Sequence, residues 1–344
     1  MLLAFIGFFL VQQNPIQAQE KEKRYEVACI GFYNIENLYD TENDTLVNDE
    51  EFLPEGGNRW TPELYREKLG NMSKVLSQLG TDASPDGAIA IGLAEVENQR
   101  VLEDLIAQPA LKDKNFGIVH YDGPDRRGVD VALIYRKEFF QVESSRSIRL
   151  VNPNDSTFRT RDQLLVTGSL RGERIHVMVA HWPSRRGGEK ASAHLRMLAA
   201  ETGRRVIDSI FTAEPTARIV YMGDLNDDPV NKSLTKGLLA NGSRKNLKPG
   251  ELYNTMYGFY KDGIGTLAYR DAWNLFDQLI ISQAFLNGDQ GFQFNRSRIF
   301  NKPFIRQQDG NFEGYPWRTF VGGRYVGGYS DHFPVYLVLY REIK

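Results

Sequence analysis

The sequence predicts an α/β domain organised on a mixed β-sheet. Three observations carry that expectation. Short apolar runs rich in β-branched and aromatic residues, such as Ile219 to Met222, recur at the length of buried strands. Amphipathic stretches of helical period separate several of them, for example Glu189 to Phe211. Polar residues stand at the ends of the apolar runs, as Asp224 and Asn226 do after Met222-Gly. A length of 344 residues permits two domains, yet no linker, repeat or low-complexity tract interrupts the chain, so residues 24–344 are expected to form one domain.

Taken in order, Arg24 to Tyr33 has few polar positions and reads as a strand buried on both faces, followed directly by Asn34. Residues 40–60 are acidic and Gly-rich, a solvated loop. Thr61-Pro62-Glu63 supplies a hydroxyl cap, a first-position proline and a first-turn acid, opening a helix whose stripe is Leu64, Leu69, Met72, Val75, Leu76 and Leu79. Gly87 to Ala94 is a second buried strand ending in Glu95, and a short helix spans about Arg100 to Ala107. Further strands are expected at Phe116 to Tyr121, Val129 to Tyr135, Phe139 to Val151, Gln163 to Leu170 and Ile175 to Ala180, the last ending in His181. The segment 231–270 is weakly periodic and reads as loops with short helices. Leu275 to Ser282 and Phe333 to Tyr340 are the last clear strands.

Composition excludes some function classes. With 42 basic and 44 acidic side chains, the chain has no overall basic field for wrapping nucleic acid, although a local cluster can grip a phosphate. Leu2 to Val11 is an apolar run of the right length for a signal peptide and too short to span a bilayer, and Ala18 offers a small residue before Gln19. Residues 1–18 are therefore expected to be an export signal, though their start lacks Lys and Arg. The mature protein would be periplasmic or extracellular. The single cysteine, Cys29, lies within a strand, which rules out an intramolecular disulfide and a cysteine-based zinc cage.

The polar strand ends suggest chemistry. Asn34, Glu95, His181, and Asp224 with Asn226 close apolar strands, whereas Asp277 and the pair Asp331-His332 precede them. In a mixed sheet, the end of one strand lies beside the start of an antiparallel neighbour, so all these groups can share one rim. Carboxylates and carboxamides without cysteine suit Mg²⁺, Mn²⁺ or Ca²⁺. Two histidines can act as base and acid near neutral pH. Loop arginines at 126, 127, 159, 161, 185 and 186 suit a planar fork on phosphate. Metal-assisted hydrolysis of a phosphate ester is the chemistry this set favours. Each residue also has a plain structural reading. Glu95 can be a helix-entry acid and His332 a packed surface group. Asp130, embedded among apolar residues, needs a buried partner, for which His181 is the candidate.

These stretches resemble the endonuclease/exonuclease/phosphatase family, whose members are similar to DNase I and the exonuclease III-type nucleases. The matching segments are Phe-Tyr-Asn34-Ile-Glu-Asn, Gly-Leu-Ala-Glu95-Val-Glu-Asn, Arg127-Gly-Val-Asp-Val-Ala, Ala-His181-Trp-Pro-Ser, Gly-Asp224-Leu-Asn226, Phe-Asp277-Gln-Leu-Ile and Tyr-Ser-Asp331-His332-Phe-Pro-Val, in the family's order. The resemblance implies a four-layer α/β/β/α sandwich, two mixed sheets face to face with helices outside, and one or two divalent ions, Mg²⁺ first. It implies Glu95 as the main metal ligand, with Asn34 and Asp331 nearby. Asp224 and Asn226 would orient the attacking water and hold the phosphate. His332, polarised by Asp277, would be the general base or a charge stabiliser, and His181 would bond a phosphate oxygen or protonate the leaving group. Arg161 matches a phosphate-contacting arginine, and Arg185 is a further substrate-binding candidate. The family's tyrosine near position 127 is not evident; Arg127 or Arg126 would replace it. Which acid, Asp130 or Asp277, orients which histidine stays open.

The leading expectation is an Mg²⁺-dependent phosphodiesterase of nuclease type, a monomer without membrane insertion, with nucleic acid a possible substrate. The second is the same chemistry on a lipid or sugar phosphate, such as sphingomyelin or an inositol phosphate; an exposed apolar loop would favour a lipid, and Tyr253, Tyr257, Phe259 and Tyr260 read equally as such a surface or as core. A non-catalytic binding protein that kept the fold is the alternative of another class.

Overall fold

The computed structural model describes residues 23–286 and 291–343; the leader expected at residues 1–18 lies outside them. In chain order the main elements are β1 (Arg24–Leu38), α1 (Pro62–Leu76), β2 (Ala88–Val96), α2 (Gln99–Ile106), β3 (Phe116–His120), β4 (Asp130–Arg136), β5 (Phe140–Ile148), β6 (Gln163–Leu170), β7 (Glu173–His181), α3 (Glu189–Ala213) and β8 (Ile219–Asp224). There follow β9 (Ala240–Asn241), β10 (Leu252–Asn254), α4 (Tyr257–Lys261), β11 (Leu267–Tyr269), β12 (Ala272–Asn274), β13 (Asp277–Ile281), β14 (Gln293–Ile299), β15 (Phe320–Val321), β16 (Arg324–Tyr325) and β17 (Val335–Ile343).

Two mixed sheets result. One has six strands in the order β14-β17-β1-β2-β4-β3, the other seven in the order β5-β6-β7-β8-β13-β10-β9. In the first, β1 and β2 run parallel while β1 and β17 run antiparallel; in the second, β7 and β8 are parallel and β8 and β13 antiparallel. One core lies between the sheets, where Ile30, Phe32, Leu133, Leu337 and Leu339 meet Val166, Val177, Val179, Met222 and Leu279. Each such side chain contributes roughly 1.5–3 kcal/mol by leaving water. A second core joins the outer face of the six-stranded sheet to α1 and α2 through Leu69, Met72, Val75, Val101 and Leu105. A third packs α3 on the seven-stranded sheet through Ala199, Val206, Ile207 and Ile210. The layers are therefore helix, sheet, sheet, helix.

Local chemistry agrees with most of the expected boundaries. Asn98 caps α2 by accepting the Val101 amide at 3.0 Å. Cys29 is buried, and burial pushes its thiol up to about 12. Within segment 231–270, β9 and β10 extend the seven-stranded sheet, which its weak periodicity did not signal. Tyr253, Phe259 and Tyr260 pack on the inter-sheet core and Tyr257 is half-buried, so of the two readings of these aromatics the structure supports core for the first three. No described helix is long and apolar enough to cross a membrane.

Candidate active site

The polar residues at the expected strand ends converge, but on the facing rims of two sheets, and β1 runs on to Leu38, so Asn34 lies within that strand and not after its end. Asn34 and Glu95 come from β1 and β2, which pair in parallel with Asn34 opposite Ala94. His181 and Asp224 are opposite each other on parallel β7 and β8, and Asp277 is opposite Asp224 on antiparallel β13. Asn34 Nδ2 reaches across to donate to Asp224 Oδ2 at 3.0 Å. Asp331 and His332 enter from the loop before β17.

The backbone is bent where these side chains turn inward. Glu36, Asn37, Glu95 and Asn226 all have positive φ, of 49°, 57°, 64° and 50°. Asparagine tolerates that region; glutamate does so at a cost of about 1–2 kcal/mol, a strain that clusters at functional sites. Gly223 is required for a different reason: a Cβ there would lie 2.0 Å from the Ala180 carbonyl oxygen. The close approach of β7 and β8 sets His181 beside Asp224.

Around Asp224, His181 Nε2 is 3.5 Å and His332 Nε2 3.8 Å from Oδ2, and the Asn226 amide donates to Oδ1 at 3.0 Å. Asp277 Oδ2 lies 2.7 Å from His332 Nδ1, and the side chain of Asp277 is fully buried. Glu95 Oε1 is 4.0 Å from His181 Nε2 and Asp331 Oδ1 3.9 Å from His332 Nε2. Ser330 ties two of these groups together, donating to the Asn34 carbonyl at 2.7 Å and accepting the His332 amide at 3.1 Å. Behind His181, the carbonyl of Trp182 accepts from Arg161 Nη2 at 2.6 Å and Asn226 Nδ2 at 3.0 Å.

The two histidines are driven to opposite charge states. Burial, reinforced by Arg161, Arg127 and His332, holds His181 well below the usual imidazole range, so its ring is neutral. Burial opposes a charge on His332, but Asp277 and Asp224 outweigh it and hold its pKa well above that range. Burial, with Asp277 beside it, pushes Asp224 up to about 6. Burial and then Asp331 push Glu36 up to about 7. Crowded, desolvated carboxylates on one rim are what a divalent cation relieves, and the donors are hard oxygens. Glu95, Asn34 and Asp331 supply hard oxygens at this rim; the described ion pair of Glu95 is with His181 at 4.0 Å, whereas Asp331 also meets Arg318 at 2.9 Å.

The structure corrects one pairing and reassigns two arginines. Asp130 does not face His181: its Oδ2 lies 3.6 Å from His120 Nε2 and accepts the Gly123 amide at 3.0 Å. The acid that orients a histidine here is Asp277, on His332. Arg185 has a different occupation from phosphate binding, since its fork meets the Asn226 carbonyl at 2.9 Å and Asp228 at 3.1 Å and lies over the Phe276 ring. Arg161 is buried and held by Asp125 at 3.1 Å as well as by Trp182. Arg127 remains half-exposed, 3.4 Å from Asp125 and within the field of Glu95.

Three residues escaped the sequence. Arg318, half-exposed, lies 2.9 Å from Asp331 and 3.4 Å from Glu36; it sits in a loop with no periodicity to mark it. Glu36 also accepts the Thr319 amide at 2.6 Å. Lys68 is fully buried beneath them, donating to the Tyr329 carbonyl at 2.6 Å, and burial pulls its ammonium down to about 8. Its place one turn after Leu64 on the apolar stripe of α1 was the available signal.

Solved structures share the fold. An endonuclease/exonuclease/phosphatase family protein from Bacteroides thetaiotaomicron aligns at 14% identity over 93% of this chain and 100% of its own, with a TM-score of 0.58. D. rerio TDP2 complexed with a single strand DNA product aligns at 14% identity over 91% and 98%, TM-score 0.54. The Bacteroides thetaiotaomicron VPI-5482 mannosyl-6-phosphatase Bt3783 aligns at 15% identity over 91% and 99%, TM-score 0.53. No curated protein matches the sequence. The match to the family model runs from residue 29 to residue 341, across both sheets and every polar strand end described above, and the chain belongs to the endonuclease/exonuclease/phosphatase family of phosphoesterase hydrolases.

Proposed function

We propose that the protein is a divalent-ion-dependent phosphodiesterase of nuclease type, exported by the leader at residues 1–18. The observation that carries this is the pair of oppositely charged-state histidines on either side of Asp224, His181 at 3.5 Å and His332 at 3.8 Å, beside Glu95, Asn34 and Asp331. Glu95, Asn34 and Asp331 would hold the ion, Mg²⁺ or else Mn²⁺ or Ca²⁺, which would supply Lewis-acid chemistry. Asp224 and Asn226 position the water and the phosphate. His332, charged and braced by Asp277, stabilises the negative charge that builds on the phosphate. Neutral His181 bonds a phosphate oxygen, and Arg127 and Arg318 hold the remaining charge. The single strand DNA product held by the D. rerio TDP2 fold neighbour supports a nucleic-acid substrate.

A second reading, a lipid or sugar phosphate, is favoured by one feature. A cavity of about 300 Å³ lined by Tyr269, Phe312, Tyr315, Val321 and Arg318 adjoins Asp331, and one fold neighbour is a mannosyl-6-phosphatase. The test is hydrolysis of plasmid, single-stranded DNA, RNA, sphingomyelin, a sugar phosphate and a small phosphodiester, each with Mg²⁺ and with chelator. His332→Ala and Asp224→Ala should each lower turnover by roughly two to four orders of magnitude. Turnover confined to the lipid or sugar ester would replace the first reading by the second. Unchanged rates in both variants would refute the site, and the absence of metal-dependent turnover on every substrate would leave a binding protein.

A further inference from the structure

Asp130, released from the active site by the geometry, belongs to a separate cluster. β3 ends at His120, Asp122 lies two residues on, and antiparallel β4 begins at Asp130. Each ring nitrogen of His120 faces a carboxylate: Nδ1 is 3.8 Å from Asp122 Oδ1 and Nε2 is 3.6 Å from Asp130 Oδ2. One donor atom from each residue lies within 4.8 Å of the other two.

Two features set this cluster apart from an ordinary surface group of charges. The His120 side chain is only 2% exposed, and its Nε2 is buried with no hydrogen-bond partner although it points at Asp130. A buried imidazole nitrogen left without a hydrogen bond is unfavourable unless something else satisfies it. The 3.6 Å separation is also near the spacing of about 3.4 Å that two donors adopt around a tetrahedral ion with bonds of about 2.1 Å. Asp130 is itself desolvated, and burial raises its carboxyl above the ordinary range, so a cation would be welcome there. A cavity of about 10 Å³ beside Asp130, reaching Ser147 and Asp162, has room for one water.

We propose that His120, Asp122 and Asp130 form a binding site for a divalent transition-metal ion of the Zn²⁺ class. One imidazole with two carboxylates suits that class and leaves a fourth position for water. Asp122, largely exposed, swings in to close the site. The ion clips the two ends of the loop 121–129 to the sheet edge. That loop carries Asp125, which holds Arg161 at 3.1 Å and Arg127 at 3.4 Å, so the clip steadies the arginine side of the active site without joining it.

The test is calorimetric titration of Zn²⁺ into the full chain carrying Glu95→Gln, which weakens binding at the catalytic rim, with thermal unfolding read in parallel. The expected result is one Zn²⁺ per chain and a raised Tm. Adding His120→Ala should abolish that binding, and adding Asp122→Asn should weaken it by more than the roughly 10–100-fold seen for outer-shell changes. Because Asp122 is 87% exposed, its variant folds even if the His120 variant does not. No Zn²⁺ uptake by the Glu95→Gln chain, or unchanged affinity in the Asp122→Asn chain, overturns the proposal. Neither outcome bears on phosphate-ester hydrolysis at the other site.

Discussion

Replacing Asp277 by Asn isolates the charge on His332. The substitution keeps the shape and an acceptor oxygen for Nδ1, 2.7 Å away, but removes a fully buried negative charge. Charge centres roughly 4 Å apart interact by about 4 kcal/mol at an effective dielectric of about 20, which corresponds to about three pKa units at 1.36 kcal/mol each. Asp277 also raises the pKa of Asp224, 3.8 Å from Nε2, so its loss leaves Asp224 more fully ionised and makes the observed shift somewhat smaller. The sign is fixed: Asp277 raises the pKa of His332, so its loss lowers it, and the ring gives up its proton at lower pH. If the charged ring stabilises the phosphate, the alkaline limb of the kcat/KM profile moves down by roughly one to three units, and turnover at neutral pH falls by roughly two to four orders of magnitude. The assay is hydrolysis of a small phosphodiester across the pH range, with NMR titration of the His332 ring. An unshifted limb, or turnover within a few-fold of the parent with a folded protein, refutes the assigned charge state.

Other perturbations separate structural from chemical roles. Arg185→Ala should lower stability by about 1.5–3 kcal/mol in urea unfolding, because charged hydrogen bonds to the buried acids Asp227 and Asp228 are lost, while KM stays unchanged. A raised KM at parental stability would restore Arg185 to the phosphate. Gly223→Ala forces a Cβ against the Ala180 carbonyl and should destabilise by about 1–3 kcal/mol or more while also cutting turnover, since His181 and Asp224 follow directly. Gly70→Ala in α1, where nothing lies within 4 Å of the new Cβ, should instead stabilise by about 0.5–1 kcal/mol.

Strand and helix positions were legible because apolar periodicity reports burial directly. β2, β7, β8 and β13 fall on the apolar runs that mark them, and α3 spans the predicted amphipathic stretch with Val206, Ile207 and Ile210 inward. The polar residues that end those strands stood out for the same reason: a carboxylate closing a buried run needs a partner. β9 and β10 were not legible, because strands of two or three residues carry no period, and β14 is masked by polar residues on its exposed face.

By itself, then, the sequence determined the longer buried strands, the main helices that cover them and the polar residues at their ends, since each depends on residues close in the chain. Tertiary structure alone decided who meets whom. Asp130 and Asp277 are both acids at the edge of an apolar run, and only strand register separates them: Asp277 is opposite Asp224 on β8, whereas Asp130 sits on β4 beside β3 and so meets His120. Arg318 reached the rim through a loop, and Lys68 through the inward face of a helix. Such contacts join residues up to hundreds of positions apart, and their formation depends on how the two sheets stack, which no local pattern encodes.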